Sequence, residues 1–262
     1  RSRRLYALRS GADNTRHLQS ERGLTKMKEA LMKLYVGNRN YSSWSMRPSV
    51  LMRQAGIPFE EIVVRFDSFE PGSAFKRAIA ELSPTGKVPV LEAEVDGARL
   101  LVWDTLAISE FLAERFPERR LWPERAAARA RARSAAAEMH SGFQALRACF
   151  PMNIEASLPD VGARLLAERG DAAADLERVR RLWRDCLSAS GGPFLFGDFG
   201  IADAFFAPVV MRARTYALPL DDDCSAYAQR VTAAPGVAAW IELALAEKDF
   251  LAFEEPYRSG PG

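Results

Sequence analysis

The sequence has few of the residues from which metal centres and disulfide frameworks are built. It contains three cysteines and two histidines among 262 residues. The cysteines have irregular spacing, with no Cys-x-x-Cys pair and no histidine close enough in sequence to share a metal: Cys149, Cys186 and Cys224. This pattern argues against a disulfide-stabilised secreted domain and against a zinc site. We expect no bound metal, three buried thiols and a reducing compartment, the cytoplasm.

Long hydrophobic runs are also missing. Hydrophobic residues make up 48% of the chain, which is enough for a sizeable core. Glycine, aspartate or proline interrupts the apolar stretches, including those around Phe194 and Phe205. No segment reaches the roughly 20 apolar residues of a membrane-spanning helix. The sequence therefore predicts a soluble protein with no membrane partner.

Most of the chain lacks a strong excess of either charge. Lys and Arg number 36 and Asp and Glu number 34, but residues 1–26 hold seven of the basic side chains and only two of the acidic ones. The rest of the chain has 29 basic and 32 acidic side chains, a net charge of −3. A mildly acidic body argues against nucleic acid as a partner. Residues 1–30 are predicted to be a disordered extension, or the result of an upstream start site, because Met27 precedes the first plausible strand.

The first half of the chain alternates between strand and helix patterns. A helix with Pro48 in its first turn, ended by Gly56-Ile57-Pro58, is predicted, because proline is tolerated in a first helical turn and apolar residues follow at helical spacing. Asp96-Gly97 is typical of a tight hairpin turn. Further elements are predicted as strands at 31–36, 59–65, 88–92 and 99–102 and as helices at 74–80 and 104–116. This order predicts an α/β unit with a mixed sheet over residues 31–116.

The second half has no strand pattern. Residues 124–150 are rich in Ala, Arg and Glu, and helical periodicity continues over 161–168, 173–188 and 201–218. We expect breaks at Gly191-Gly192-Pro193 and at Pro208. The sequence therefore predicts an all-helical domain over 124–255.

Four segments in this order resemble the cytosolic glutathione S-transferase family, in a bacterial, serine-type form with a zeta-like active-site turn. They are Asn-Tyr-Ser-Ser-Trp-Ser-Met-Arg-Pro at 40–48, Thr-Gly-Lys-Val-Pro-Val-Leu at 85–91, Asp-Thr-Leu-Ala-Ile at 104–108 and Gly-Ile-Ala-Asp at 200–203. The resemblance covers about residues 31–250. It implies a thioredoxin-like N-terminal domain, an all-α C-terminal domain and glutathione as co-substrate.

The resemblance places the reacting thiol of glutathione at the 40–48 turn. Only the thiolate is a good nucleophile, so a serine hydroxyl at a helix N-terminus would stabilise it by a hydrogen bond and by the partial positive charge of the helix end. Counting back from Arg47 favours Ser42, and Ser43 is the competitor; either serine could instead only cap the helix. Tyr41 is a further alternative donor. Trp44 stands where zeta-like relatives have cysteine, which disfavours thiol exchange by the protein.

The other two glutathione segments imply binding rather than chemistry. Val88, before a cis-Pro89, would pair its main chain with the cysteinyl part of glutathione, and Lys87 would pair with the glycyl carboxylate. Asp104 would balance the ammonium of glutathione and Thr105 would receive its γ-glutamyl carboxylate. The family usually has Glu-Ser where this chain has Asp-Thr. The resemblance also places three residues near a second substrate, namely His140, Met152 and Asn153, while Gly200 and Asp203 are expected to cap a buried helix.

The implied activity is conjugation of glutathione to a small hydrophobic electrophile, as in detoxification, or reduction of a peroxide. A zeta-type cis-trans isomerase acting on a maleylacetoacetate-like acid is an alternative, although the Ser-Ser-Cys motif is not intact. A glutathione-fold binding or regulatory protein without catalysis is a third. The resemblance implies a homodimer, and the sequence does not identify the second substrate.

Overall fold

The computed structural model of the protein describes residues 31–260. The predicted extension at residues 1–30 lies outside these residues. Within the described range, none of the helices combines the length and apolar character needed to span a bilayer.

A four-stranded mixed sheet forms the first half of the described chain. Its strands are β1 (Met32–Val36), β2 (Phe59–Val63), β3 (Val90–Val95) and β4 (Ala98–Trp103), in the spatial order β2-β1-β3-β4. β1 pairs with β2 in parallel and with β3 in antiparallel, and β3 and β4 form a hairpin. The mixed sheet expected from the element order is therefore confirmed.

The hairpin turn follows directly from two residues. Asp96 and Gly97 both have positive φ, 53° and 76°. A two-residue hairpin loop with both residues in the left-handed region matches the twist of the strands, and Asp-Gly tolerates it best. The Asp-Gly signal thus fixes the register in which Val95 pairs with Ala98.

Three helices accompany the sheet: α1 (Ser43–Gln54), α2 (Ala74–Ile79) and α3 (Thr105–Arg115). The predicted placement of Pro48 in the first turn of α1 is wrong, because the helix begins at Ser43 and Pro48 is its sixth residue. Ser42 caps the helix, with its Oγ accepting from the Ser45 N–H. A proline inside a helix costs one hydrogen bond. Here the cost is outweighed by burial, since the residues from Ser45 to Met52 are all buried.

The second half is helical. The helices are α4 (Ala126–Ser141), α5 (Gln144–Cys149), α6 (Pro159–Glu168), α7 (Gly170–Ser190), α8 (Ile201–Thr215), α9 (Asp222–Ala233) and α10 (Pro235–Glu247). The predicted break at Pro208 is wrong, because α8 runs through it. Fourteen of the fifteen α8 residues are buried, so packing on every side overrides the local preference of proline.

One hydrophobic core joins the sheet to the helices. It includes Leu34 of β1, Met46 of α1 and Phe205 of α8, all fully buried. Close contact between α1 and α10 depends on Gly236, where a Cβ atom would stand 2.5 Å from the Val50 carbonyl oxygen. This packing holds the C-terminal half of α1 against the helical half.

Candidate active site

A cavity of about 440 Å³ lies at the N-terminal end of α1. Its walls come from the α1 turn, the loop before β3, the segments around α5 and α8, and the C-terminal segment. The polar and aromatic residues that matter below are Ser42, Ser43, Trp44, Lys87, Val88, Arg147, Arg212 and Glu254. A second cavity of about 460 Å³ lies near Trp122 and Asp203 and contains none of the predicted site residues. The α1 cavity is therefore the candidate site.

Ser42 is largely committed to the helix cap. Its side chain is buried, and its hydroxyl donates to Ser45 Oγ at 2.7 Å. Ser45 Oγ in turn accepts from the Gly37 N–H at 3.1 Å. The sequence left open whether Ser42 or Ser43 only caps the helix. In the structure, Ser42 is the residue that caps it.

Ser43 has a different environment. It is half-buried and lines the cavity, and its Oγ accepts a hydrogen bond from Arg212 Nη2 at 3.3 Å. Arg212 also donates to the carbonyl oxygens of Phe150 at 2.7 Å and Pro208 at 3.2 Å. Since the Ser43 oxygen accepts from a cation, its own proton is free for an acceptor in the cavity.

The loop before β3 presents free main-chain groups to the cavity. The Val88–Pro89 peptide bond is cis, as the resemblance implied. Val88 lines the cavity and precedes the first ladder residue, Val90. Within residues 31–260 its N–H and C=O have no hydrogen-bond partner. Lys87 is exposed at the same edge.

Asp104 and Thr105 lie outside the lining of the cavity, at the start of α3. Asp104 caps the helix, since its Oδ1 accepts from the Leu106 N–H at 2.8 Å. It does so with φ 74° and ψ 136°, a conformation that strains a residue with a side chain. The Thr105 hydroxyl is buried, 3.4 Å from Arg47 Nη1 and 3.5 Å from His140 Nδ1.

Three arginines gather behind and beside the serine turn. The guanidinium carbons of Arg47 and Arg147 lie 4.2 Å and 4.8 Å from the centroid of the Trp44 ring. Burial, with the charge of Arg147 nearby, lowers the pKa of Arg47 to about 9 and that of Arg212 to about 10. Burial also lowers the pKa of Arg147. With these pKa values, Arg47 and Arg212 are still protonated at neutral pH.

Comparison with known proteins decides the family. The sequence profile of the glutathione S-transferase N-terminal domain matches residues 41–115, and that of the C-terminal domain matches residues 124–243. The chain belongs to the glutathione S-transferase family. The predicted thioredoxin-like and helical halves are confirmed, as is the expectation of a glutathione transferase with glutathione as co-substrate.

Individual relatives share 28% or 29% of their residues with this chain over the aligned region. Glutathione S-transferase 1 of Dianthus caryophyllus is 29% identical over 185 residues, which cover 70% of this chain and 78% of that protein. Maleylacetoacetate isomerase of Pseudomonas aeruginosa is 28% identical over 201 residues, covering 72% and 85%. The crystal structure of maleylacetoacetate isomerase from Anaeromyxobacter dehalogenans, with glutathione bound in the active site, superposes with a TM-score of 0.57 at 28% identity, covering 81% of this chain and 96% of that one.

Within this transferase, the structure brings only some of the predicted site residues together. Ser42, Ser43, Lys87 and Val88 line one cavity, whereas three others do not: Pro89, Asp104 and Thr105. Trp44 separates the two groups, since it lines the cavity and its ring lies edge-on to His140 at 5.1 Å. His140 Nε2 in turn lies 3.3 Å from Asp104 Oδ2.

Tyr41 and Asn153 have structural contacts in this transferase. The Tyr41 hydroxyl lies 2.7 Å from Glu255 Oε1 and 2.9 Å from the Asp249 carbonyl oxygen. These two acceptors already engage the hydroxyl, which makes it a poor candidate for the sulfur partner; burial, together with Glu255, also raises the pKa of Tyr41 to about 12. Asn153 is buried and binds Asn40 and Glu255.

The remaining candidates have clear positions. Met152 lines the cavity, as expected for a residue beside the second substrate. Asp203 accepts from the N–H groups of Gly200 and Leu195, which confirms its predicted role at the start of α8.

Sequence reasoning missed the arginines of the helical half and Glu254. Arg212 stands seven residues after Phe205 on the largely apolar helix α8, so the two share a face two turns apart. An arginine at a core-facing position is a signal that could have identified it. Arg147 and Glu254 have no such signal, because both lie in short or irregular segments.

Proposed function

We propose that this glutathione transferase ionises the thiol of glutathione at Ser43 and adds the sulfur to an electrophilic carbon of a small second substrate. Sulfur forms the new bond to carbon, and the leaving group departs with its electron pair; a peroxide oxygen is an alternative acceptor. The observation that carries this proposal is the hydrogen bond from Arg212 to Ser43 Oγ. It directs the Ser43 proton away from the guanidinium and leaves it for the sulfur.

The energetics of the thiolate favour this arrangement. A free thiol has a pKa of about 8.5, and each unit removed requires roughly 1.4 kcal/mol of preference for the anion. Ser43 contributes a hydrogen bond, the N-terminal end of α1 contributes partial positive charge, and Arg212 contributes a full charge one bond further away. Ser42 supports the turn by holding the first turn of the helix.

Glutathione is proposed to lie along the sheet side of the cavity. The free main-chain groups of Val88 would pair with its cysteinyl residue in the manner of an added strand. Pro89 would keep that edge in place, and Lys87 would pair with the glycyl carboxylate. Asp104 and Thr105 would hold the γ-glutamyl end at the start of α3.

A zeta-type isomerase is the second candidate function. Two relatives named maleylacetoacetate isomerase, one of them crystallised with glutathione, favour it. It would use the same thiolate, added to and then released from the substrate. Turnover of maleylacetone without conjugation of model electrophiles would select it over the leading proposal.

The setting of the enzyme is proposed from the same family membership: a cytoplasmic homodimer that acts in detoxification. The edge strand β4 exposes Leu100 and Trp103, which are 37% and 44% exposed. Apolar groups on an edge strand favour contact with a second copy. Light scattering tests this point, and a monomeric mass would overturn it.

The decisive experiment combines binding and ionisation. Calorimetry measures the affinity for reduced glutathione, and ultraviolet difference titration measures the thiol pKa of bound glutathione. We expect binding with a thiol pKa at least about 1 unit below that of free glutathione. Absence of binding would reject the function; binding without a lowered thiol pKa and without turnover would support a non-catalytic binding protein.

A further inference from the structure

The helical wall of the cavity carries positive charge without a balancing acid. Arg147 and Arg212 line this wall, and Arg47 lies behind Trp44. Within residues 31–260, none of the three guanidinium groups has a carboxylate within 4.0 Å. Glu254 is the acid on the cavity lining, and it forms no ion pair with them.

Other arginines with little exposed side chain form ion pairs with carboxylates. Arg39 lies 2.7 Å from both Glu61 and Glu247, and Arg258 lies 2.6 Å from Glu255. Removing a guanidinium from water is costly unless a partner compensates it. Carboxylates compensate Arg39 and Arg258, but none in the part of the chain that the structure describes compensates the arginines at the cavity. Such an arrangement is expected where an anionic ligand supplies the missing negative charge.

The two arginines on the cavity lining differ in their hydrogen bonds. The guanidinium of Arg212 donates to the Phe150 and Pro208 carbonyls and to Ser43. The hydrogen bonds of Arg147 are weaker, since its Nη1 lies 3.5 Å from the carbonyl oxygens of His140 and Gly142. Arg147 therefore retains donor capacity toward the cavity. The Trp44 ring beneath its guanidinium holds the group in place.

We propose that the second substrate carries a carboxylate that binds Arg147 beside the sulfur held at Ser43. The substrate class is then an organic acid with an electrophilic carbon, rather than a purely hydrophobic electrophile. A guanidinium binds a carboxylate through two parallel hydrogen bonds, which fixes orientation as well as affinity. This inference rests on the proposed glutathione conjugation.

The test compares an acid with its neutral amide. The probes are 4-chloro-3-nitrobenzoate and 4-chloro-3-nitrobenzamide, in which sulfur bonds to the ring carbon and chloride leaves with the electron pair. The wild-type enzyme should favour the acid over the amide by about tenfold more than the uncatalysed reaction does. Arg147→Gln should lower kcat/KM for the acid about 10- to 100-fold and change that for the amide less than about threefold.

Two further variants control for charge and for folding. Arg164→Gln removes an exposed arginine that pairs with Glu168 and is not on the cavity lining, and both probes should keep their rates. Arg147→Lys keeps the charge without the planar fork and should recover part of the acid preference. If Arg147→Gln does not fold, calorimetry of wild-type enzyme with the two conjugated products decides, and equal affinities would overturn the proposal.

The outcomes separate this inference from the proposed function. Loss of turnover for both probes with a raised KM for glutathione would mean that Arg147 serves a carboxylate of glutathione, which overturns the inference. Turnover of both probes with no acid preference in the wild type also overturns it, while conjugation itself stands. Failure of glutathione to bind would reject the proposed function instead.

Discussion

The two sides of the cavity are built in different ways. On the sheet side, the short loop at Val88 offers main-chain groups, beside lining side chains such as Phe75 and Lys76. On the helical side, Arg147, Arg212 and Glu254 come from segments far apart in sequence and act through their side chains. Main-chain groups are present whatever the side chain, so a site built from them can keep one ligand while the sequence varies. A site built from side chains can change its ligand preference when one residue is substituted. This difference is the reason for proposing that glutathione binds on the first side and that selectivity for the second substrate arises on the second.

The sharpest test of this comparison lies where the two sides meet, at the adjacent serines. Ser43→Ala should lower kcat/KM about 10²- to 10³-fold, because it removes the donor to the developing thiolate. Ser42→Ala should lower the free energy of unfolding by about 1 kcal/mol through loss of the helix cap, with a loss of activity below about tenfold. Steady-state kinetics and urea unfolding of both variants measure the contrast.

The reverse result would reassign the chemistry. If Ser42→Ala inactivates the enzyme and Ser43→Ala does not, the Ser42 assignment favoured by spacing from Arg47 is right. The thiol pKa of bound glutathione serves as the control, since a merely structural change leaves it unmoved.

A smaller effect is expected at Asp104 on the glutathione side. The residue has positive φ, so Asp104→Gly should relieve strain of about 1 kcal/mol while costing only a few tenths for the lost cap. The same change should raise KM for glutathione about tenfold, because the ammonium loses its counter-charge. Unfolding curves and glutathione titration together would reveal a variant that is more stable but binds less well.

Asp104→Asn is the matched control, since it keeps a capping oxygen and removes the charge. It should show the weaker glutathione binding without the gain in stability. Unchanged glutathione affinity in both variants would remove Asp104 from the binding site and leave it a cap.

The sheet side could be predicted from sequence and the helical side could not. The contiguous signal Asp96-Gly97 encodes its own backbone geometry and so predicted the hairpin, whereas the cis peptide at Pro89 was predicted from the resemblance of its segment to the family. Arg147 and Arg212 are separated by 65 positions, and only tertiary packing brings them to one wall. For the same reason, local rules failed at Pro48 and Pro208, where burial of the whole helix outweighs the preference of one residue.

Substitution of Tyr41 tests whether this residue and the C-terminal segment that it binds take part in catalysis or only in the structure of the cavity. Tyr41→Phe removes the hydroxyl that binds Glu255, so the free energy of unfolding should fall by about 1 to 3 kcal/mol. The turnover number should stay within about threefold of wild type, because the hydroxyl is bound to Glu255 and to the Asp249 carbonyl oxygen and not available to the sulfur. A hundredfold loss of turnover in a folded variant with intact glutathione affinity would establish the tyrosine-type alternative.

The smallest expected effect lies at Glu254, on the helical side. Burial, with the Glu255 carboxylate nearby, raises the pKa of Glu254 to about 7. The folded chain therefore binds a proton that the unfolded chain has released between about pH 4.5 and pH 7. Its stabilising contribution is complete below about pH 4.5 and is lost as the pH rises through about 7.

Glu254→Gln mimics the protonated acid and should cancel this dependence. Relative to wild type, the variant should gain about 1 kcal/mol in free energy of unfolding near pH 8 and almost nothing near pH 5. Urea unfolding at the two pH values measures the difference, with Glu168→Gln, an exposed surface acid, as the control whose effect should not vary. An acid electrophile sharpens the result: its KM should rise through neutral pH in the wild type, as a negative Glu254 opposes its carboxylate, and stay level in Glu254→Gln. Parallel stability and KM profiles for the two proteins would mean that Glu254 is already ionised throughout, and that the helical side of the cavity is less positive than its arginines imply.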